Sequence, residues 1–119
     1  MFGNDYNTID GTGVRDYIHV VDLAKGHIAT LKKLENSGLY IYNLGSGKGY
    51  SVLELVNTFE KVNDVKINYK IVEKRKGDLA EYFADTSKAQ KELSWKPEKT
   101  LEDMCRDSWN FMKKEIMNK

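Results

Sequence analysis

The stretch Gly11-Thr-Gly-Val-Arg-Asp-Tyr-Ile-His-Val-Val-Asp22 joins a glycine-paired loop to one arginine and then to a β-branched and aromatic run. That order suits an anion held beside the start of a strand. Glycine lets the backbone approach a ligand, and the planar guanidinium of Arg15 offers paired donors to phosphate oxygens. A second loop, Lys74-Arg-Lys-Gly-Asp78, supplies Arg75 next to another glycine. Two arginines on separate loops can grip a diphosphate from both sides, and a carboxylate such as Asp78 can accept from sugar hydroxyls. Taken alone, the same two loops are equally consistent with solvated surface charge.

Other chemistry-bearing residues read as structural. Gly45-Ser-Gly-Lys-Gly49 has the spacing Gly-x-Gly-x-Gly, which misses the dinucleotide fingerprint and is not a Walker A loop. No acidic partner for a ribose is well placed after it, since Asp64 sits in a turn. A tight strand-to-helix turn is expected there. His19 falls in a predicted strand and His27 on the apolar face of a predicted helix, with no second ligand spaced to join either. Both read as packed structural histidines, and no metal site is expected. Cys105 lies on an apolar helical stripe and reads as a core thiol, and Trp95, Trp109 and Phe111 read as core or contact aromatics.

The elements that must hold the two basic loops follow from periodicity. Turn formers from Gly3 to Gly13 make a loop, and Arg15–Val20 is a strand candidate. Val20, Leu23, Ala24, His27, Ile28, Leu31 and Leu34 recur at helical spacing, and Asn36–Gly38 ends that run. Leu39–Leu44 reads as a buried strand. Ser51 and Glu54 have capping-box spacing, ahead of a helix with Val52, Val56, Phe59 and Val62 on one face. Lys66–Val72 alternates as a half-exposed strand, and Lys74–Ala80 is a charged loop. Asp85 caps a short helix carrying Ala89 and Leu93, and Pro97 closes that region. Thr100 and Asp103 form a second capping box, from which Leu101, Met104, Cys105, Ser108, Met112 and Ile116 run down one face of a last helix. Strands alternating with helices make the class α/β.

Bulk properties narrow the partners. Nineteen Lys and Arg against eighteen Asp and Glu give a net charge of +1 over 119 residues, so no basic field points to nucleic acid. One cysteine excludes an internal disulfide and fits a reducing compartment. No apolar run reaches the roughly 20 residues that span a bilayer, and nothing at the amino end reads as a signal peptide. A cytoplasmic protein without membrane or nucleic-acid partners is expected.

Longer phrases carry a resemblance. Phe2-Gly-Asn-Asp-Tyr6, Asp10-Gly-Thr-Gly-Val-Arg-Asp-Tyr-Ile-His-Val20, Tyr42-Asn-Leu-Gly45 and Gly77-Asp-Leu79 followed by Tyr82 and Ala84-Asp85 are similar to the carboxyl-terminal part of the UDP-glucose 4-epimerase family. These are extended short-chain dehydrogenase/reductases, and the likeness covers essentially the whole chain. Asn7 and Ala80 stand where proline is common, which affects loop stiffness only. The resemblance implies the substrate-binding part of an extended NAD(P)-binding Rossmann-fold enzyme. Carried over by position, Phe2 lies against the nucleotide-sugar, and Arg15 and Arg75 bind its pyrophosphate. Asp78 takes ribose hydroxyls, Tyr17 and Val52 wall the uridine pocket, and Tyr82 sets the size of the hexose pocket. A tyrosine there implies plain glucose and galactose as the hexoses.

The family reaction inverts C4 of a UDP-hexose through a 4-keto intermediate with bound NAD. It needs a Gly-x-x-Gly-x-x-Gly cofactor loop and a Tyr-x-x-x-Lys pair, in which the lysine lowers the pKa of the tyrosine so that it serves as base. No tyrosine here is followed four residues later by lysine. The resemblance therefore implies that the catalytic residues and the NAD site lie upstream, that residues 20–46 pack on that missing part, and that the full-length protein is a homodimer. The other readings at this level are a dehydratase or decarboxylase of the same family, or a stand-alone nucleotide-sugar binding module.

Overall fold

A computed structural model describes residues 1–117. The regular elements run β1 (Val14–Arg15), α1 (Val20–Thr30), a 3₁₀ turn (Leu31–Glu35), β2 (Tyr50–Ser51), α2 (Val52–Asn63), α3 (Ser87–Leu93) and α4 (Leu101–Met117). The two strands pair antiparallel, Val14 opposite Ser51 and Arg15 opposite Tyr50. The mixture of helix and strand is as expected, but of the predicted strands only Arg15, at the start of the candidate Arg15–Val20, lies in one.

Helix starts follow their caps. Ser51 Oγ accepts the Glu54 amide at 3.0 Å, so the first half of that box forms. Behind it Ser51 donates to Asp10, whose other oxygen accepts the amide and the hydroxyl of Thr12 at 3.0 and 2.6 Å. Thr100 and Asp103 make the full reciprocal box at 3.0 and 3.1 Å. Asp85 accepts from Ser87 at the head of α3. His19 is not in a strand: it is the extended residue before α1, and its Nδ1 accepts the Val21 amide.

Asp10 gives a pH dependence. Burial raises its pKa, but the hydrogen bonds from Ser51 and Thr12 outweigh that and hold the carboxyl below its ordinary 3.8. Asp103 is lowered by the amide and hydroxyl of Thr100, against a smaller effect of burial. A carboxyl depressed in the folded state contributes stability that is complete above its unfolded value and lost as pH falls through the folded one. Thermal melts between about pH 5 and about pH 2 are expected to drop in midpoint, with a shallower drop in Asp10→Asn. Equal slopes in the two proteins would remove Asp10 from the account.

Packing divides between two helix pairs. α2 lies on α4, where the Phe59 and Trp109 rings meet edge to face at 5.8 Å and Leu101 and Cys105 are buried. Burial, and secondarily Glu102, push the Cys105 thiol upward, as a core thiol should behave. α3 lies on α1 through the buried Ala89 and Trp95, and the indole donates to the Asp22 carbonyl at 2.9 Å. The Asp22 carboxylate accepts the amides of Glu98 and Lys99, which ties the approach to α4 back onto α1.

Three expectations about packing fail. The apolar stripe of α1 and the following turn is exposed, with Val20 at 71%, Ile28 at 65% and Leu34 at 72%, while Asp22 and Gly26 face inward. Leu39–Leu44 forms no strand and is neither paired nor buried, with Leu39 86% exposed. Lys66–Val72, expected as a half-exposed strand, forms none: it pairs only through a single bridge from Val72 to Phe2, and Tyr69 and Ile71 from its apolar side are exposed. The cause is common to all three: a strand or an apolar stripe needs a neighbour, and none stands there among the described residues. The radius of gyration, 17.0 Å, accordingly exceeds the roughly 13.5 Å of a compact domain this long.

Candidate functional site

Four backbone hydrogen bonds bring the two basic loops together. Gly3 donates to Val72 and Val72 to Met1, at 2.8 and 2.9 Å. Val14 donates to Ala80 and Tyr82 to Val14, at 2.9 and 3.1 Å. With β1 also pairing to β2 at the head of α2, three distant parts of the chain surround one cleft of about 210 Å³. Phe2, Arg15, Tyr17, Val52, Arg75 and Asp78 line it, together with Met1, Gly3, Tyr6 and Gly13. The seventh sequence candidate, Tyr82, is half exposed and lies under the Arg15 guanidinium, its ring centroid 4.5 Å from Cζ.

Cations dominate the cleft. Arg15 gives one Nη1 bond to the Val14 carbonyl at 2.7 Å, and its remaining donors find no acceptor among the described residues. Arg75 gives its Nε to Asp78 Oδ2 at 2.8 Å and lies 4.5 Å from the Phe2 ring centroid. The other Asp78 oxygen accepts no hydrogen bond among the described residues. Lys74 sits over the Tyr6 ring at 4.4 Å and pairs with Asp5 at 3.1 Å. Burial raises the Tyr17 hydroxyl pKa, opposed by Arg15 and assisted by Tyr82, so Tyr17 stays protonated and can donate. The loop before the cleft closes where the Tyr6 amide donates to the Gly11 carbonyl; Gly11 has φ +83° and an added Cβ would strike the Asn4 carbonyl.

The glycine loop at 45–49 turns tightly but is not the strand-to-helix turn expected, since no strand leads directly into it and β2 lies between it and α2; its anion is internal. The Asp16 carboxylate accepts the amides of Ser46, Gly47 and Ala84 at 2.7, 3.1 and 3.1 Å, and the Ser46 hydroxyl at 2.7 Å. A Cβ on Gly45 would lie 2.6 Å from Asp16 Oδ2, so the close approach requires glycine. These residues do not fit a dinucleotide. The amides that would cradle a pyrophosphate are already taken by a carboxylate, which would also repel it.

His19 is structural as expected: it is buried, and its Nε2 lies 2.7 Å from Asp107 Oδ2 on α4. His27 is not packed. It is exposed, with Nδ1 hydrogen-bonded to the Leu23 carbonyl one turn earlier. No group of His, Cys, Asp and Glu among the described residues is arranged to hold a metal ion. Asp16 and Thr12 escaped the sequence reading, although both lie inside the phrase around Arg15. A loop rich in glycine amides with no fitting phosphate motif implies an acidic partner elsewhere, and Asp16 is that partner.

Comparison with known proteins extends the likeness. A model of the family described as GDP-mannose 4,6-dehydratase matches residues 1–108. A UDP-glucose 4-epimerase of Haemophilus influenzae is 59% identical over 114 residues, 95% of this chain and 34% of the relative. The structure of UDP-glucose 4-epimerase from Bifidobacterium longum in complex with NAD⁺ and UDP superposes with a TM-score of 0.89 at 54% identity, covering 95% of this chain and 34% of that one. The Stenotrophomonas enzyme with bound NAD and formylated UDP-arabinopyranose superposes at 0.93, with 48% identity, over 99% of this chain and 35% of that one. The chain thus spans about a third of the length of the curated relatives it matches.

Proposed function

The chain belongs to the GDP-mannose 4,6-dehydratase family, and we propose that its cleft is the nucleotide-sugar side of a UDP-glucose 4-epimerase. The observation that carries this is the convergence of Phe2, Arg15, Tyr17, Val52, Arg75 and Asp78 on one cavity. Arg15 and Arg75 take the diphosphate with the donors they do not use internally, as planar forks suited to phosphate oxygens. The free oxygen of Asp78 accepts from ribose hydroxyls. Tyr17 and Val52 wall the uracil, Phe2 lies against the nucleotide-sugar, and Tyr82 limits the hexose to glucose and galactose.

The residues of this chain bind and orient. On this reading the NAD named in the relatives' structures is held by the two thirds of the relatives that the chain does not span, and the catalytic base lies there as well. Residues 20–46 dock there, which would cover the exposed stripe of Val20, Ile28 and Leu34 and pair the segment at Leu39–Leu44. We read the intact protein as a cytoplasmic homodimer without nucleic-acid or membrane partners. No helix among the described residues is long and apolar enough to cross a membrane.

Incubating the intact protein with UDP-galactose is expected to yield UDP-glucose, resolved by chromatography or by proton NMR at the anomeric position. A product that has lost water from the sugar, or release of carbon dioxide when a UDP-uronic acid is supplied in place of UDP-galactose, would overturn the epimerase assignment in favour of a dehydratase or decarboxylase.

A further inference from the structure

Each arginine of the cleft lies on an aromatic ring from the opposite segment. Arg15, from the amino-terminal loop, stacks on Tyr82, and Arg75, from the later loop, stacks on Phe2, both at 4.5 Å. The backbone enforces this crossing. The Tyr82 amide donates to the Val14 carbonyl that also accepts from Arg15 Nη1, so ring and guanidinium are fixed from the same carbonyl. A guanidinium over a tyrosine face is held by the ring quadrupole as well as by area, and its in-plane donors stay free to point elsewhere.

We infer that Tyr82 is a positioning residue for the diphosphate, acting through Arg15, in addition to any part it has in fitting the sugar. This rests on the proposed nucleotide-sugar reading of the cleft and extends it: a residue that sets hexose size would also set diphosphate affinity. Among the described residues, loss of the ring leaves Arg15 with its Val14 bond alone, and the arginine must then be ordered by the ligand itself.

The test uses UDP and uridine, neither of which carries a hexose, titrated calorimetrically into the intact protein. Tyr82→Ala is expected to weaken UDP about two- to five-fold, the range of a partly exposed cation–π contact, while uridine affinity is unchanged. Tyr82→Phe, which keeps the ring, is expected to bind UDP as the parent does. In an Arg15→Ala background, Tyr82→Ala is expected to cost nothing further. A Tyr82→Ala protein that binds UDP normally overturns the inference and leaves the nucleotide-sugar reading standing. Equal losses for UDP and uridine, or an equal loss in Tyr82→Phe, also overturn it. A parent protein that fails to bind UDP overturns both.

Discussion

Asp16→Ala is expected to destabilise the fold more than any other single change near the cleft, by about 3–5 kcal/mol. The side chain is the common acceptor for three amides from two separate segments and for the Ser46 hydroxyl. Alanine would leave those part-buried donors without a partner and open a void against Gly45. An unsatisfied buried donor costs about 1–3 kcal/mol, and partial access of water keeps the sum below the full total. Asp16→Asn retains one acceptor oxygen but turns an NH₂ toward the remaining amides, so an intermediate loss is expected. Urea unfolding of the intact protein, followed by circular dichroism, measures both. A change under about 1 kcal/mol for alanine would mean that water replaces the carboxylate without difficulty.

The second large effect is on ligand affinity. Arg15→Ala is expected to weaken UDP about ten- to a hundred-fold, since hydrogen bonds to charged groups contribute about 1.5–3 kcal/mol. Arg75→Ala is expected to cost at least as much. It removes one clamp and also frees the Asp78 carboxylate, now paired at 2.8 Å, to repel the phosphates. Arg15→Lys should recover little, because an ammonium provides neither the fork nor the flat stacking surface over Tyr82. Uridine is the internal control for the two Arg15 variants and should bind both as it binds the parent, whereas Arg75→Ala also releases the Asp78 carboxylate that, on the proposed reading, takes the ribose. Parallel losses for uridine and UDP in the Arg15 variants would show that Arg15 shapes the cleft without gripping the diphosphate.

Much of the site could be read from residue order because its chemistry is local in type. Arginine beside glycine on two loops, and a carboxylate three residues beyond the second arginine, marked the candidates without a fold, but only the family resemblance separated a diphosphate clamp from solvated surface charge. Helix starts were equally legible, because Thr100 and Asp103 need only each other. What could not be read were relations between distant segments. Nothing in Asp16 announces that Ser46, Gly47 and Ala84 will aim amides at it. Periodicity identified the helix from Val20 and the apolar segment from Leu39, but it reports that a face is apolar and not what covers it. Those are the places where burial was expected and exposure was found. His27 fell with them, since its packing was inferred from the same stripe.

The stitching of residues 1–3 to residues 70–72 has a kinetic consequence. Met1 donates to Lys70, a separation of 69 residues, and the His19–Asp107 pair spans 88. Contacts so remote in sequence form late, because loop-closure entropy must be met before they contribute anything. The helices and their caps can assemble first, and the cleft exists only once the two ends of the search have met. A diphosphate bridging Arg15 and Arg75 would therefore slow unfolding more than it speeds folding.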